Sequence, residues 1–449
     1  MRCVTDGTDP RKHAMRIMID GLNLALSQGT GVATYARNLS YCIKQNGHHL
    51  SVLYGKPVAP EKDPLLREAM FFDNVRKERP LPEYYLDLIR SFAPYSPSEI
   101  PQTGQVLREQ IAESLPNADV FYNIKNLFFK ASAKFEHFGG MLEVKLPEQV
   151  DIAHWTYPAP IRIKGARNIY TMHDIVPIKL PYTTLDVKRN YINMLRSIAR
   201  SADHIVTVSD VSKRDIVDTL GISQSKVTNT YQSVSIPQSM LQDSDSQLDI
   251  NLETINPDAS LNVKGGVRQV RRGEFFLYVG AIEPKKNLKR ILEGYLASGA
   301  SQPLVVVGRQ AWQCETEMKM IERATDRIVY LDYVPFTMLV TLMRSARALI
   351  FASLYEGFGL PVLEAFQCGA PVITADASST AEVAGDAALL VDPYDIRQIR
   401  DAFCALGADG TADLRREMAE KGRRRAEAFS QDKIAVRLEE CYSSVMQAA

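Results

Sequence analysis

Between Ala348 and Pro371 an apolar run, a glycine-rich loop and a helix start follow one another, and two glutamates eight positions apart bracket the loop: Glu356-Gly357-Phe358-Gly359-Leu360-Pro361-Val362-Leu363-Glu364. Ala348-Leu349-Ile350-Phe351 has strand character, and Pro361 suits the first helical position, where its missing N–H costs nothing. A loop of this kind ends in backbone donors that have no helical acceptor. The donors expected at Leu360, Val362 and Leu363, reinforced by the helix dipole, suit a diphosphate, and the glycines let the backbone approach it closely. On this reading Glu356 stands beside the reacting end of the ligand, and Glu364, one turn into the helix, reaches a sugar hydroxyl further along. Structural capping meets the same pattern, because glycine-rich strand-to-helix turns occur throughout doubly wound α/β proteins and a glutamate near a helix start suits the macrodipole.

At 449 residues and 45% hydrophobic content, the chain exceeds one usual core and should divide into two domains of roughly 150–250 residues. The formal net charge of +0 supplies no strong global field for nucleic acid or an anionic membrane, although local basic faces stay possible and charge alone excludes little; no nucleic-acid partner is expected. Cys3, Cys42, Cys314, Cys368, Cys404 and Cys441 are scattered without CxxC or close Cys/His spacing, which argues against a zinc site and a disulfide framework. Met1 to His13 is polar and lacks the apolar core of a secretory signal, and no stretch reaches the ~18 apolar residues of a membrane span. A cytoplasmic protein is expected, soluble or peripheral at the inner face of the cell membrane.

Alternating strand and helix signals run through both halves. Arg16-Ile17-Met18-Ile19-Asp20 reads as a strand, followed by Gly29-Thr30-Gly31-Val32 and a helix through Ile43, then a strand at Ser51 to Tyr54. A dinucleotide-binding unit would place an acidic residue at the end of that second strand; Gly55 and Lys56 stand there instead, which disfavours NAD. Pro57 to Gln149 is mixed, with proline clusters and helical pieces such as Gln105 to Ser114, and is left unassigned. Order returns with strands at Val150 to His154, Asn168 to Asp174 and His204 to Ser209, and helices at Val187 to Ser201 and from Ser209 through Val217. Ile236 to Gly273 is polar and reads as a linker with an inserted loop. Its Asp243-Ser244-Asp245 has the form of a metal-binding DxD, but polar linkers produce such triplets by chance. A second series starts at Phe275 to Gly280 and continues at Leu304–Val307, Ile328–Leu331, Ala348–Phe351, Val372–Thr374 and Ala388–Val391, enough for a complete Rossmann-like domain. The chain after Arg400 is helical.

The pair of glutamates around Gly-Phe-Gly-Leu-Pro, continued by Glu364-Ala365-Phe366-Gln367-Cys368-Gly369-Ala370-Pro371, resembles the signature of retaining glycosyltransferases of family 4. Gly280-Ala281-Ile282-Glu283-Pro284-Lys285-Lys286-Asn287 resembles the family's Gly-Arg-x-x-x-x-Lys-Gly segment. Lys286 matches the lysine, and Ala281 stands where many members have arginine. The GxxEPxKN form is similar to that of mannosyltransferases of bacterial surface-polysaccharide assembly, in which Lys285 assists. Gly29-Thr30-Gly31 resembles the family's glycine loop, with Gly31 facing the donor. Tyr170-Thr171-Met172-His173-Asp174 resembles the segment whose histidine binds the donor sugar, and Asp151 to Pro158 a loop lining the acceptor side. Tyr333-Val334-Pro335 resembles the turn where backbone at Val334 meets the base, whereas Thr380 to Pro393 reads as structural, with Glu382 near a helix start.

The resemblance implies a GT-B fold, an α/β architecture of two Rossmann-like domains facing a central cleft. The expected boundaries are 15–235 for an acceptor-side domain, 236–273 for the linker, 274–428 for a nucleotide-sugar-binding domain, and 429–449 for a helix crossing back. It implies hexose transfer with retention, with GDP-mannose the leading donor. The acceptor is a saccharide or polyprenyl-linked saccharide, with peripheral membrane contact. Lysines and helix donors do the work of a metal, so no cofactor or metal is expected and the nucleotide sugar is a substrate. Glu356, His173 and Lys286 are the candidates for catalytic roles; Gly31, Lys285, Lys286, Val334, Phe358, Gly359, Leu360, Val362 and Glu364 are the candidates for donor binding. Two rivals share the scaffold: an epimerase or phosphorylase of the same fold, and a non-catalytic subunit of a polysaccharide-assembly complex.

Overall fold

The computed structural model describes residues 14–24, 31–73, 87, 90–107, 115–242, 249–251 and 269–448. Gly29 and Thr30, most of Gln105 to Ser114, and Asp243-Ser244-Asp245 lie outside these. Among the described residues ten strands precede the linker: β1 (Arg16–Asp20), β2 (His49–Tyr54), β3 (Ser98–Ile100), β4 (Val120–Asn123), β5 (Leu142–Val144), β6 (Ile152–Trp155), β7 (Ile161–Ile163), β8 (Arg167–Thr171), β9 (His204–Thr207) and β10 (Val227–Asn229). Eight of them form one sheet in the order β10-β9-β8-β6-β1-β2-β4-β3. The pairings from β9 to β4 are parallel, and β3 joins antiparallel at the edge. Short β5 and β7 pair separately, as do β11 (Asp249–Asn251) and β12 (Gln269–Arg271).

The second sheet contains β13 (Phe276–Val279), β14 (Leu304–Val307), β15 (Ile328–Leu331), β16 (Ala348–Phe351), β17 (Val372–Ala375) and β18 (Leu389–Val391). Their order is β15-β14-β13-β16-β17-β18, and every pairing is parallel. The order reverses direction beside β13, so the loops after β13, β14 and β16 emerge at the switch point, where open α/β sheets place ligands. Helices Leu288–Ser298 and Ile396–Gly407 cover the sheet through Ile291, Leu292, Tyr295, Ile399 and Phe403. A Cβ on Gly294 would lie 2.6 Å from Ile399 Cγ2, so the missing side chain is what lets these two helices touch. Phe403 sits edge-on to Phe276 at 4.9 Å, a favoured aromatic geometry.

Two compact units result. The first takes in Met1–Thr171, Asn193–Val206 and Ala435–Ala449, and the second Met172–Ile192 and Thr207–Ile434. In the first, fully buried His154 bonds the Tyr442 hydroxyl at 2.6 Å and the Thr171 hydroxyl at 2.8 Å. A buried imidazole with both nitrogens engaged is a structural tie, so the acceptor-side loop expected around it keeps this histidine in the core. Among the described residues no helix is long and apolar enough to cross a membrane.

Candidate active site

After β13 the chain makes a single turn of 3-10 helix, Pro284–Lys286, and then Asn287 begins helix Leu288–Ser298 in a left-handed conformation, φ 60°. Asparagine tolerates that region better than most residues. Its side-chain amide donates to the carbonyls of Ala352 at 3.0 Å and Pro393 at 2.7 Å. The Leu354 N–H adds a bond to the Lys285 carbonyl at 2.9 Å. The Ala352 and Leu354 bonds fix the lysine turn against the loop that follows β16, and the Pro393 bond ties it to the segment after β18. The adjoining loop after β14 is equally tight, since a Cβ on Gly308 would fall 1.8 Å from the Gly280 carbonyl oxygen.

Lys286 Nζ lies 2.6 Å from Glu356 Oε1, with both side chains largely buried, and 4.9 Å from the Phe351 ring centroid. Burial alone would push the Glu356 carboxyl up, but Lys286 and Lys285 outweigh it and hold the group below the usual carboxylate range. Burial likewise works against the Lys285 ammonium, and the carboxylates of Glu356, Asp174 and Glu283 reverse this and hold it well above the ordinary lysine value. Lys285 is therefore held cationic and Glu356 anionic, with Lys286 paired to that carboxylate. This is a two-cation, one-carboxylate group at the switch point of the sheet, shielded enough for its charges to act strongly.

The loop carrying Glu356 is bonded on both sides. The Glu356 N–H donates to Ser378 Oγ at 3.1 Å, and the Ser379 hydroxyl donates to the Glu356 carbonyl at 2.7 Å. Tyr355 donates its hydroxyl to the Asp215 carboxylate, which also pairs with Lys179. His173 and Asp174 reach the same loop. A Cβ on Gly357 would stand 2.7 Å from the His173 carbonyl oxygen and 3.0 Å from Asp174 Oδ2, so Gly357 is what allows this approach. The structure thus brings His173, Lys285, Lys286 and Glu356 into one neighbourhood of the second unit.

Gly359, at φ 104°, precedes helix Leu360–Cys368, a conformation in which any side chain is strained. The helix opens at Leu360, with Pro361 second rather than first. Leu360 N–H has no acceptor within the helix by position. The Val362 N–H, expected to be unpaired, instead donates to the Gly359 carbonyl at 3.0 Å; the proline one place later tightens the first turn into a 3-10 bond. Glu364 follows one turn on. Its carboxyl has no hydrogen bond or ion pair among the described residues, and burial pushes it up to about 7. The side chain keeps partial exposure, so its acceptor oxygens are open to a ligand's hydroxyl donor.

Phe358 is 3% exposed. Its ring packs against Phe429 at 5.6 Å and Tyr231 at 6.5 Å, so only its backbone is free to meet a ligand. Tyr231 itself adopts φ 58°, an uncommon conformation for a bulky residue. Val334 is buried just after β15, beside half-exposed Tyr333. Gly31 is the exposed first residue of helix Gly31–Gln45 in the other unit. Glu382 accepts from the N–H groups of Asp210 and Val211 at 2.9 and 3.0 Å; it caps helix Asp210–Leu220, not its own.

Two neighbours carried no separate signal in the sequence. Asp174 acts on Lys285 through space, and only its position beside His173 pointed to it. Arg309 accepts a hydrogen bond at its carbonyl from the Ile282 N–H at 2.7 Å and lies 5.5 Å from the centre of the Tyr333 ring; a lone arginine after a strand has no motif to mark it.

Comparison with known proteins identifies the family and the fold. Residues 267–425 match the family model described as glycosyl transferases group 1, and residues 127–235 that described as Glycosyltransferase Family 4, together more than half of the chain. An O-antigen chain mannosyltransferase B from Escherichia coli is 33% identical over 243 residues, which cover 52% of this chain and 59% of that relative. The chain thus spans less than two thirds of that relative's length. An MMP alpha-(1->4)-mannosyltransferase from Mycolicibacterium hassiacum is 25% identical over 93% of this chain and 95% of its own. Sucrose-phosphate synthase from Thermosynechococcus elongatus superposes with a TM-score of 0.60 at 16% identity, over 97% of this chain and all of that one. Two family matches on successive stretches, and a fold shared along nearly the whole length, establish that this chain belongs to the group 1, family 4 glycosyltransferases of GT-B fold.

Proposed function

We propose that the chain transfers a hexose from a nucleotide sugar to a saccharide or lipid-linked saccharide in polysaccharide biosynthesis, with mannose from GDP-mannose as the leading donor. The carrying observation is the grouping of Lys285, Lys286 and Glu356 beside the start of helix Leu360–Cys368. Breaking a glycosidic bond to a diphosphate leaves negative charge on the departing group. Fixed cations and helix N–H groups stabilise that charge without reorganisation. Lys285, Lys286 and the Leu360 N–H would hold the diphosphate, and no metal ion is assigned a part. Glu364 would accept from a ribose hydroxyl, which answers its missing partner. Glu356, kept ionised by the lysines, would accept from hydroxyls of the sugar and orient it beside His173. Retention would follow from front-face attack, in which the leaving phosphate takes the proton of the acceptor hydroxyl.

Mannose is favoured because relatives named as mannosyltransferases include both the O-antigen protein and the full-length mycobacterial one. A lipid-linked acceptor would place the reaction at the cytoplasmic face of the membrane, the protein being soluble or peripheral there. A thermal-shift panel of GDP-mannose, UDP-glucose, UDP-GlcNAc and dTDP-rhamnose tests the donor, since preferential binding to the folded state raises the melting point. Stabilisation by GDP-mannose alone is expected. Stabilisation by another member of the panel alone would replace the donor, and none at all would refute the nucleotide-sugar reading.

A further inference from the structure

A second charged site lies on the opposite edge of the second sheet. An open pocket of about 290 Å³ is lined by Arg272, Arg344, Arg347, Arg415 and Arg416, together with Gly273, Gly369 and Pro371. Gly273, Arg347 and Pro371 stand just ahead of β13, β16 and β17, so the pocket is at the amino ends of strands whose carboxyl ends carry the lysine and glutamate group.

Arginines at such an edge often serve to cap helix carbonyls. Arg347 does so, donating to the carbonyls of Gly273, Leu406, Gly407 and Ala408. Arg344 donates to the Met240 carbonyl at 3.2 Å, and Arg416 pairs with Asp413 at 3.0 Å where both are largely solvated. Capping does not account for Arg415. Among the described residues its side chain has neither a hydrogen bond nor an ion pair, and its Nε is closed off from solvent. Burial and the neighbouring Arg415 charge both weaken the Arg347 cation, with Asp409 and Glu274 only partly offsetting them. Guanidinium groups do not relieve such repulsion by losing protons. An anion does relieve it, and a planar fork of N–H donors fits a phosphate by paired bonds.

We propose that this pocket binds a phosphate-bearing anion, a phosphate monoester with a small body such as a sugar phosphate, and that Arg415 is its principal contact with Arg344 and Arg272 around it. The site is separate from the one assigned to the nucleotide sugar and does not depend on that assignment. Both lie on one helix, since Gly369 ends Leu360–Cys368 and the diphosphate assignment uses its beginning.

Calorimetric titration with inorganic phosphate and with glucose 6-phosphate, at constant ionic strength set by chloride, tests this. The wild-type protein should bind one equivalent of each, with the ester bound at least as tightly as the free ion. Arg415→Gln should weaken both by about tenfold or more, as expected for a lost charged hydrogen bond. Arg344→Gln should weaken them too and stands in if Arg415→Gln fails to fold. Lys285→Ala, which alters the nucleotide-facing group, should leave the arginine-dependent binding in place. The proposal is overturned if the wild-type protein shows no saturable binding, if both arginine variants bind as it does, or if Lys285→Ala abolishes binding, which would put the phosphate among the nucleotide-facing lysines.

Discussion

Lys286 and Glu356 are seventy positions apart in sequence and form a 2.6 Å ion pair, made by two loops that meet at the switch point of a parallel sheet. Each partner is largely shielded from water, so neither is well solvated without the other.

Lys286→Ala should therefore destabilise the fold as well as slow transfer. Removing one partner of a shielded pair costs up to about 3–5 kcal/mol, the lower end applying to a pair that retains some solvent contact. Lys286→Ala combined with Glu356→Gln should recover part of the loss. Urea denaturation of the two single variants and the double variant measures this, and strictly additive losses would show that the pair is not coupled.

Glu364 should give the protein a pH-dependent stability. Its carboxyl stands at about 7 in the folded chain against an ordinary 4.5. A raised value means that its contribution is fully present below about 4.5 and is lost as the pH rises through about 7. The loss amounts to roughly 3 kcal/mol at most. Glu364→Gln should match wild type near pH 4.5 and exceed it at pH 8. Equal melting points for the two proteins at pH 8 would contradict the assignment. Buried Asp20, raised to about 6, is common to both proteins and cancels in the comparison.

Gly357→Ala should damage the site more than its size suggests. The added Cβ would lie 2.7 Å from a backbone oxygen of His173, and a backbone atom cannot rotate away. The expected cost is about 1–3 kcal/mol of stability, together with a fall in kcat larger than any rise in KM for the donor. Unchanged kinetics would mean that the approach of His173 to this loop has no part in catalysis.

Tyr355→Phe removes the hydroxyl bonded to Asp215 and leaves that carboxylate, among the described residues, to Lys179. The loop should loosen, giving faster amide exchange at Glu356 and Gly357 while the strands of the second sheet keep their protection. Exchange unchanged at both positions would show that the serine bonds suffice.

The second sheet was readable from the sequence because its strands are buried on both faces. Continuous runs such as Leu304 to Val307, Ile328 to Leu331 and Ala348 to Phe351 admit no other reading between helical stretches, and these three coincide with β14, β15 and β16. Ser98–Ile100 escaped notice, since a three-residue antiparallel edge strand shows no period. Helices Pro64–Phe72 and Leu127–Phe138 were hidden by the mixed composition around them. In the site, the loop and its glutamates were legible because glycine, proline and carboxylate each act through local chemistry. The burial of Phe358 under Phe429 and the capping of a distant helix by Glu382 were not, because each depends on which segments meet after folding; the Val362 bond to Gly359 is local and follows from the helix opening one residue before Pro361.

Calorimetric titration of GDP and GMP in EDTA tests the central claim most directly, because the two ligands differ by the outer phosphate alone. If lysines and helix donors hold the diphosphate, the wild-type protein binds GDP at least about tenfold more tightly than GMP, and Lys285→Ala or Lys286→Ala removes most of that gap. A gap that survives both substitutions, or one that arises only when manganese is supplied, would contradict the account.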